Sequence, residues 1–311
     1  MHVRNFAGVV VGCVALGTSS LACEDEKSGP DGGGGAAGSG QGGSDSTPRD
    51  VTIHFRAQVV DEEGACGQTY ASQGTADTEV TPRDLRFYVS DVRLVTAEVW
   101  EVQFVLDERP QFQAEGVALL AFEDGSAECS NGNDALNGVI TGKIAAGNYK
   151  GIVFSTAVPE ELNHEDPTTL PDPLQAGGMT WGWLLGYKFL VAELAATSGE
   201  GTGIFHLGST GCENTAPAEG GAGGTGPDYG APPEMSCRFQ NRNEIRLEEF
   251  DFEADDIVLD LSAVFSEIDL SGMAMCHSMG DGCASLFPSL GVELTTGEAS
   301  ATQRAFRVEA R

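Results

Sequence analysis

From residue 51 the chain alternates. Val51, Ile53, Phe55, Ala57 and Val59 are apolar, and Thr52, His54, Arg56 and Gln58 between them are polar. Period two over this length predicts a strand with one buried face and one wet one. Further β-rich runs follow at 84–98, where Leu85, Phe87 and Val89 share a side, and at 99–106, 148–158, 186–194, 243–252 and 256–265. Residues 305–308 predict a closing edge strand. Turn-forming clusters separate the runs at Gly64, Gly125, Asn131-Gly132-Asn133, Gly177-Gly178 and the Gly-rich 219–230. A short helix is expected only around 284–290, and no internal repeat is visible. The fold class is therefore all-β: a single β-sandwich or barrel-like domain with long loops.

The amino end reads differently. Arg4, an apolar run over 6–16 and small residues up to Ala22 make residues 1–22 a secretory signal, its apolar stretch too short to span a bilayer. Ser20-Leu21-Ala22 satisfies the rule for ordinary cleavage. Cys23 directly after it invites lipid attachment, although Ser20 stands where a lipid box usually has Leu. Residues 23–50 contain no apolar residue larger than Ala after Cys23, so they are expected to form a flexible acidic Gly/Ser-rich tether. The folded domain is expected over 51–311. The chain reads as exported, to the periplasm or to the outer membrane and cell surface, with an optional lipid anchor.

The net charge is −30. Phosphate backbones need clustered Lys and Arg, so nucleic acid is excluded as a partner. Solubility in salty surroundings and attraction of cations or of a basic partner both remain open. Besides Cys13 and Cys23, the cysteines are Cys66, Cys129, Cys212, Cys237, Cys276 and Cys283. An even set in an exported chain reads as disulfides. Locality favours Cys276–Cys283 and Cys212–Cys237, which leaves Cys66–Cys129. Thiolate zinc is the rival reading, and no C-x-x-C pair supports it.

Candidate chemistry concentrates between residues 162 and 212. This window holds His164, Trp181, Trp183 and His206 in a chain with 5 His and 3 Trp. The bland alternative makes the tryptophans packing aromatics on one strand face and the histidines loop polar groups. The sharper one uses imidazole as the commonest metal ligand, suited to copper, zinc, iron and nickel. An intact indole nitrogen is a donor only, so a Trp at such a site must be a wall, an electron relay or a precursor. A second soft cluster is Met273-Ala-Met275-Cys276-His277-Ser-Met279, whose Met and His suit Cu(I), or which is a disulfide loop with incidental Met. Met273 stands where covalent haem attachment would need its first Cys. No nucleophile elbow, H-E-x-x-H, P-loop, dinucleotide fingerprint or EF-hand loop is present. Calcium held by loop carboxylates is a second candidate ion. The sequence points to binding rather than turnover. Its rival is a metal-free or calcium-stabilised envelope adhesion module with Trp183 as a stacking platform.

Five motifs in order carry a resemblance: Asp84-Leu-Arg-Phe-Tyr-Val-Ser-Asp91, Leu119-Leu-Ala-Phe-Glu-Asp124, Leu162-Asn-His164, Met179-Thr-Trp-Gly-Trp183 with Gly186-Tyr-Lys-Phe189, and His206-Leu-Gly-Ser-Thr-Gly-Cys212. Together with the cysteines they resemble the MbnP-like family, the metallo-mystery pair four-Cys-motif proteins, over nearly all of the expected mature chain. The resemblance implies an exported β-sheet protein that binds copper. It also implies a partner, a di-haem protein of the MbnH or MauG-like cytochrome c peroxidase type, which oxidises a Trp to kynurenine. Carried over, it makes His164 and His206 the expected ligands and Trp181, ahead of Trp183, the modified residue. His54 is a third candidate ligand from the polar face of its strand, and Met179 a weak axial contact or core.

Overall fold

The computed structural model describes residues 47–129, 135–215, 235–300 and 302–311. The expected leader, Cys23, most of the tether, the 131–133 turn and the 219–230 segment lie outside the described residues. In chain order the strands begin β1 (Arg49–Val59), β2 (Glu62–Glu63), β3 (Tyr70–Gln73), β4 (Thr78–Thr96), β5 (Glu101–Gln103) and β6 (Val105–Leu106). They continue β7 (Gln113–Ala114), β8 (Val117–Ala121), β9 (Val139–Ile144), β10 (Tyr149–Ser155), β11 (Leu190–Ala196) and β12 (Thr202–Leu207). The last are β13 (Thr210–Asn214), β14 (Met235–Phe239), β15 (Ile245–Glu248), β16 (Asp255–Asp260), β17 (Met273–His277) and β18 (Phe306–Ala310).

Two sheets form a sandwich. A 6-stranded sheet runs β18-β16-β1-β9-β6 with β2 beside β1. A 10-stranded sheet runs β15-β10-β4-β11-β12-β17, with β3, β5 and β8 also on β4 and β7 on β8. The inner faces meet through aromatic edges: Phe55 lies 6.2 Å from Phe87 and 5.6 Å from Phe154, and Phe306 lies 5.7 Å and 5.4 Å from the same rings. Each such pair contributes about 0.5–1.5 kcal/mol beyond the area it buries. The alternation read in β1 is the cause: Val51, Ile53, Phe55, Ala57 and Val59 are all buried. Strand β8 was not legible that way. Val117, Ala118, Leu119, Leu120 and Ala121 are buried on both faces, so the sequence shows an apolar run without a period.

Two expectations are refined. The 256–265 run is half strand, half helix: β16 ends at Asp260, whose carboxylate accepts from the Ala263 N–H and caps a helix, α2 (Leu261–Phe265). Around 284–290 the chain makes a 3-10 turn, Phe287–Leu290, stopped by Gly291 at φ 70°. The disulfides are Cys66–Cys129, Cys212–Cys237 and Cys276–Cys283. The second joins facing residues of the small β13–β14 ribbon, and the third ties β17 to the turn after it.

The outer face of the larger sheet carries the long connection from β10 to β11. Arg86, on that face of β4, is fully buried and pairs with Asp84 at 2.6 Å and Glu123 at 3.1 Å. Its Nη1 donates to the Gly177 carbonyl at 2.7 Å, which pins the connection to the sheet. Tyr88 and Tyr187 pack edge to face at 5.8 Å, and their hydroxyls donate to the carbonyls of Pro173 and Leu174. This covering segment brings Trp181 over the sheet.

Candidate metal centre

His206 and His277 face each other across parallel strands β12 and β17, where they are register partners. Their Nδ1 atoms are 2.9 Å apart and their rings 4.7 Å apart. Glu193, on β11 next to β12, places Oε1 2.7 Å from His206 Nε2. A carboxylate only accepts, so His206 Nε2 carries the proton, and in the neutral ring Nδ1 keeps its lone pair. The 2.9 Å contact is then a hydrogen bond from His277 Nδ1–H to His206 Nδ1, and an ion bound by both nitrogens would take the place of that proton; a histidine held from behind by a carboxylate is the usual form of a metal-ligating imidazole.

The hydrogen bond from His206 holds the Glu193 carboxyl below its usual range. Partial desolvation, then His206 and Lys188, lower the imidazole of the exposed His277. Burial also lowers Lys188. The strand ends are locked where the rings meet. Ser278, at φ 65°, donates from Oγ to the His206 carbonyl at 2.8 Å and accepts from the Gly208 N–H at 2.7 Å.

Trp181 stands beside this pair, its ring 6.4 Å from that of His206, with Lys188 Nζ 5.9 Å from the indole. It sits on a tight turn rather than on a strand. Thr180 bridges to Tyr187, and the Trp181 N–H donates to the Gly186 carbonyl at 3.0 Å. The indole rests on Gly208, where an added Cβ would lie 2.6 Å from Trp181 Cζ3 and 2.5 Å from the Tyr187 carbonyl oxygen. That close approach is what the glycine permits.

His164 goes elsewhere. It is buried at the end of a short helix, α1 (Glu160–Asn163), and its Nδ1 donates to the Trp183 carbonyl at 2.8 Å. Its Nε2 accepts from Asn163 Nδ2 at 3.0 Å and lies 3.0 Å from Cys237 Sγ. His164, Cys212 and Cys237 bring ligand-type atoms within 4.8 Å of one another. Both sulfurs are joined in the disulfide, so the thiolates a metal would need are already used. His54 lies on β1 in the other sheet, half-buried and paired with Asp256 and Val139. Met179 is fully buried core.

The structure thus joins His206 and Trp181, among the residues expected from sequence, and places His164 with Trp183 in a second cluster. Three contributors escaped the sequence reading. His277 was seen only as part of the Met-rich cluster, because strand pairing, not spacing, sets it against His206. Glu193 carried a signal: it is the one charged residue in the apolar run of β11. Lys188 lies inside the Gly186-Tyr-Lys-Phe189 motif, which marks the segment but not the lysine's place beside the indole. The donor set is two imidazoles with a carboxylate behind one of them, which suits copper, zinc, iron or nickel.

The model of the MbnP family matches residues 48–278. Among solved structures, MbnP from Methylosinus trichosporium superposes with a TM-score of 0.70 at 26% identity, over 85% of this chain and 99% of that one. A comparison with curated proteins finds no match.

Proposed function

The chain belongs to the MbnP family, and from that membership and the geometry at His206 we propose that it is an exported copper-binding protein rather than an enzyme. The observation that carries the reading is the His206–His277 pair with Glu193 behind it. These two imidazoles hold the ion. Copper supplies a soft, redox-active cation that such neutral nitrogens bind well. Glu193 orients His206 and fixes its tautomer, and the covering segment limits water on one side. The leader and acidic tether are read as placing the domain outside the cytoplasm, at a membrane where Cys23 is lipidated.

Trp181, rather than Trp183, is the residue proposed to become kynurenine through a di-haem partner. Oxidative cleavage of its indole C2–C3 bond by the peroxidase-type partner, with peroxide reduced to water, and hydrolytic release of the outer carbon as formate would leave an aromatic amine beside His206. The proximity of Trp181 to His206 supports that choice.

The test is co-production with the di-haem partner, followed by elemental analysis and peptide mass mapping. One copper per chain is expected, together with a mass gain on the Trp181 peptide equal to replacing one carbon by one oxygen. Undiminished copper in a His206→Ala/His277→Ala variant refutes the ligand assignment, and an unmodified Trp181 after partner exposure refutes the modification.

A further inference from the structure

Strand β17 lies at the edge of the larger sheet, bonded to β12 alone in the strand order. Its side chains alternate. Cys276 is buried and points into the sandwich, where it is tied to Cys283. Met273, Met275 and His277 occupy the opposite face, beside Thr202, Ile204 and His206 of β12. Met273 is 69% exposed and Met275 46%, and Met279, just past the strand, is 65% exposed. Three of the chain's 6 methionines therefore stand in solvent within a few residues of the one histidine that meets His206.

Methionine is among the side chains most often buried, and an exposed thioether is open to oxidation. Two of them, Met273 and Met275, lie on the open face of β17, and Met279 follows just beyond it. Alternate positions on a strand are about 6.6 Å apart, so Met273 and Met275 form a row that ends at His277, and Met279 follows two residues beyond it. Thioether sulfur is a soft, neutral donor that prefers monovalent copper to divalent and harder ions.

We propose that Met273, Met275 and Met279 are a capture track that takes monovalent copper from solution and delivers it to the His206–His277 pair. The proposal rests on the copper-binding reading for its delivery half only. Capture by the track is a property of the thioethers themselves. The track selects oxidation state before the ion reaches the imidazoles, which accept several metals. No bond is made or broken in the protein. The ion exchanges donors without change of charge.

The test uses silver(I) as a redox-silent probe and methyl-labelled methionine observed by NMR. In the His206→Ala/His277→Ala protein, silver(I) is expected to shift the methyl signals of Met273, Met275 and Met279 and to leave buried Met179 in place. Unshifted surface methyls overturn capture whatever the imidazoles bind. Delivery is read by stopped-flow transfer of copper(I) from a chelator to the unmutated imidazole pair. A Met273→Leu/Met275→Leu/Met279→Leu variant, changed only at exposed positions, is expected to load the same final amount of copper. Its rate is expected to fall at least about ten-fold, the low end of what local enrichment of an ion does to an on-rate. Equal rates overturn delivery. A wild-type protein that takes up no copper while its methyls still respond to silver sinks the copper-binding reading and the delivery half together, and leaves capture standing.

Discussion

His206 Nδ1 and His277 Nδ1 stand 2.9 Å apart, although 71 positions separate the two residues in the chain. Parallel pairing of β12 with β17 creates that approach, and the outer face of the larger sheet presents it. Glu193 on the next strand and Trp181 on the covering turn complete the surroundings. The other expected ligand, His164, is engaged at the Cys212–Cys237 disulfide.

His164→Ala is therefore expected to act on stability. It leaves the Trp183 carbonyl and the Asn163 amide without their present partner. The cost expected is about 1–3 kcal/mol, measured by denaturant unfolding. Copper content is expected to be unchanged, and copper loss in this variant with normal stability would reverse the two roles.

Glu193→Gln tests the carboxylate behind the ligand. The amide keeps the shape and a hydrogen-bond acceptor but removes the charge that favours the Nε2–H tautomer of His206. Copper affinity, read by chelator competition, is expected to fall about 10–100-fold, the range typical of such outer partners. An unchanged affinity would reduce Glu193 to packing.

Gly208→Ala tests the seat of Trp181. The added methyl meets Trp181 Cζ3 at 2.6 Å and the Tyr187 carbonyl oxygen at 2.5 Å, so the turn must lift. Overpacking of this kind costs about 1–3 kcal/mol. The expected readouts are a changed Trp fluorescence spectrum and reduced kynurenine formation at Trp181.

The covering segment also has an alkaline limit. Burial pushes the Tyr187 phenol from its ordinary 10.0 up to about 12. A folded-state value raised above the unfolded one gives stability that is complete below the unfolded value and is lost as pH rises through the folded one. Between pH 10.0 and about 12, stability should fall and ionisation of Tyr187 should loosen the segment. Absorbance titration of the phenolate, compared with a Tyr187→Phe variant, checks the order of events.

Strands with one wet face were readable because burial writes period two into the sequence: β1 is the clearest case. Strand β8, buried on both faces, was not, and neither was the strand-to-helix switch at Asp260, where an apolar run masks a capping carboxylate. The disulfide pairing followed from locality because two of the pairs close short local loops. The site was half legible. Composition marked the window containing Trp181 and His206, and the family motifs sharpened it. The partner His277 is set by which strand adds to the sheet edge, a long-range choice that spacing along the chain does not encode. Likewise the sequence could not say that His164 spends its hydrogen bonds on Trp183 and Asn163.

The most direct test is a crystal of the copper-loaded protein measured at the copper absorption edge. A single anomalous peak is expected in contact with His206 and His277 and next to residue 181. A peak at His164 and the Cys212–Cys237 pair, or at His54, with none between His206 and His277, would contradict it.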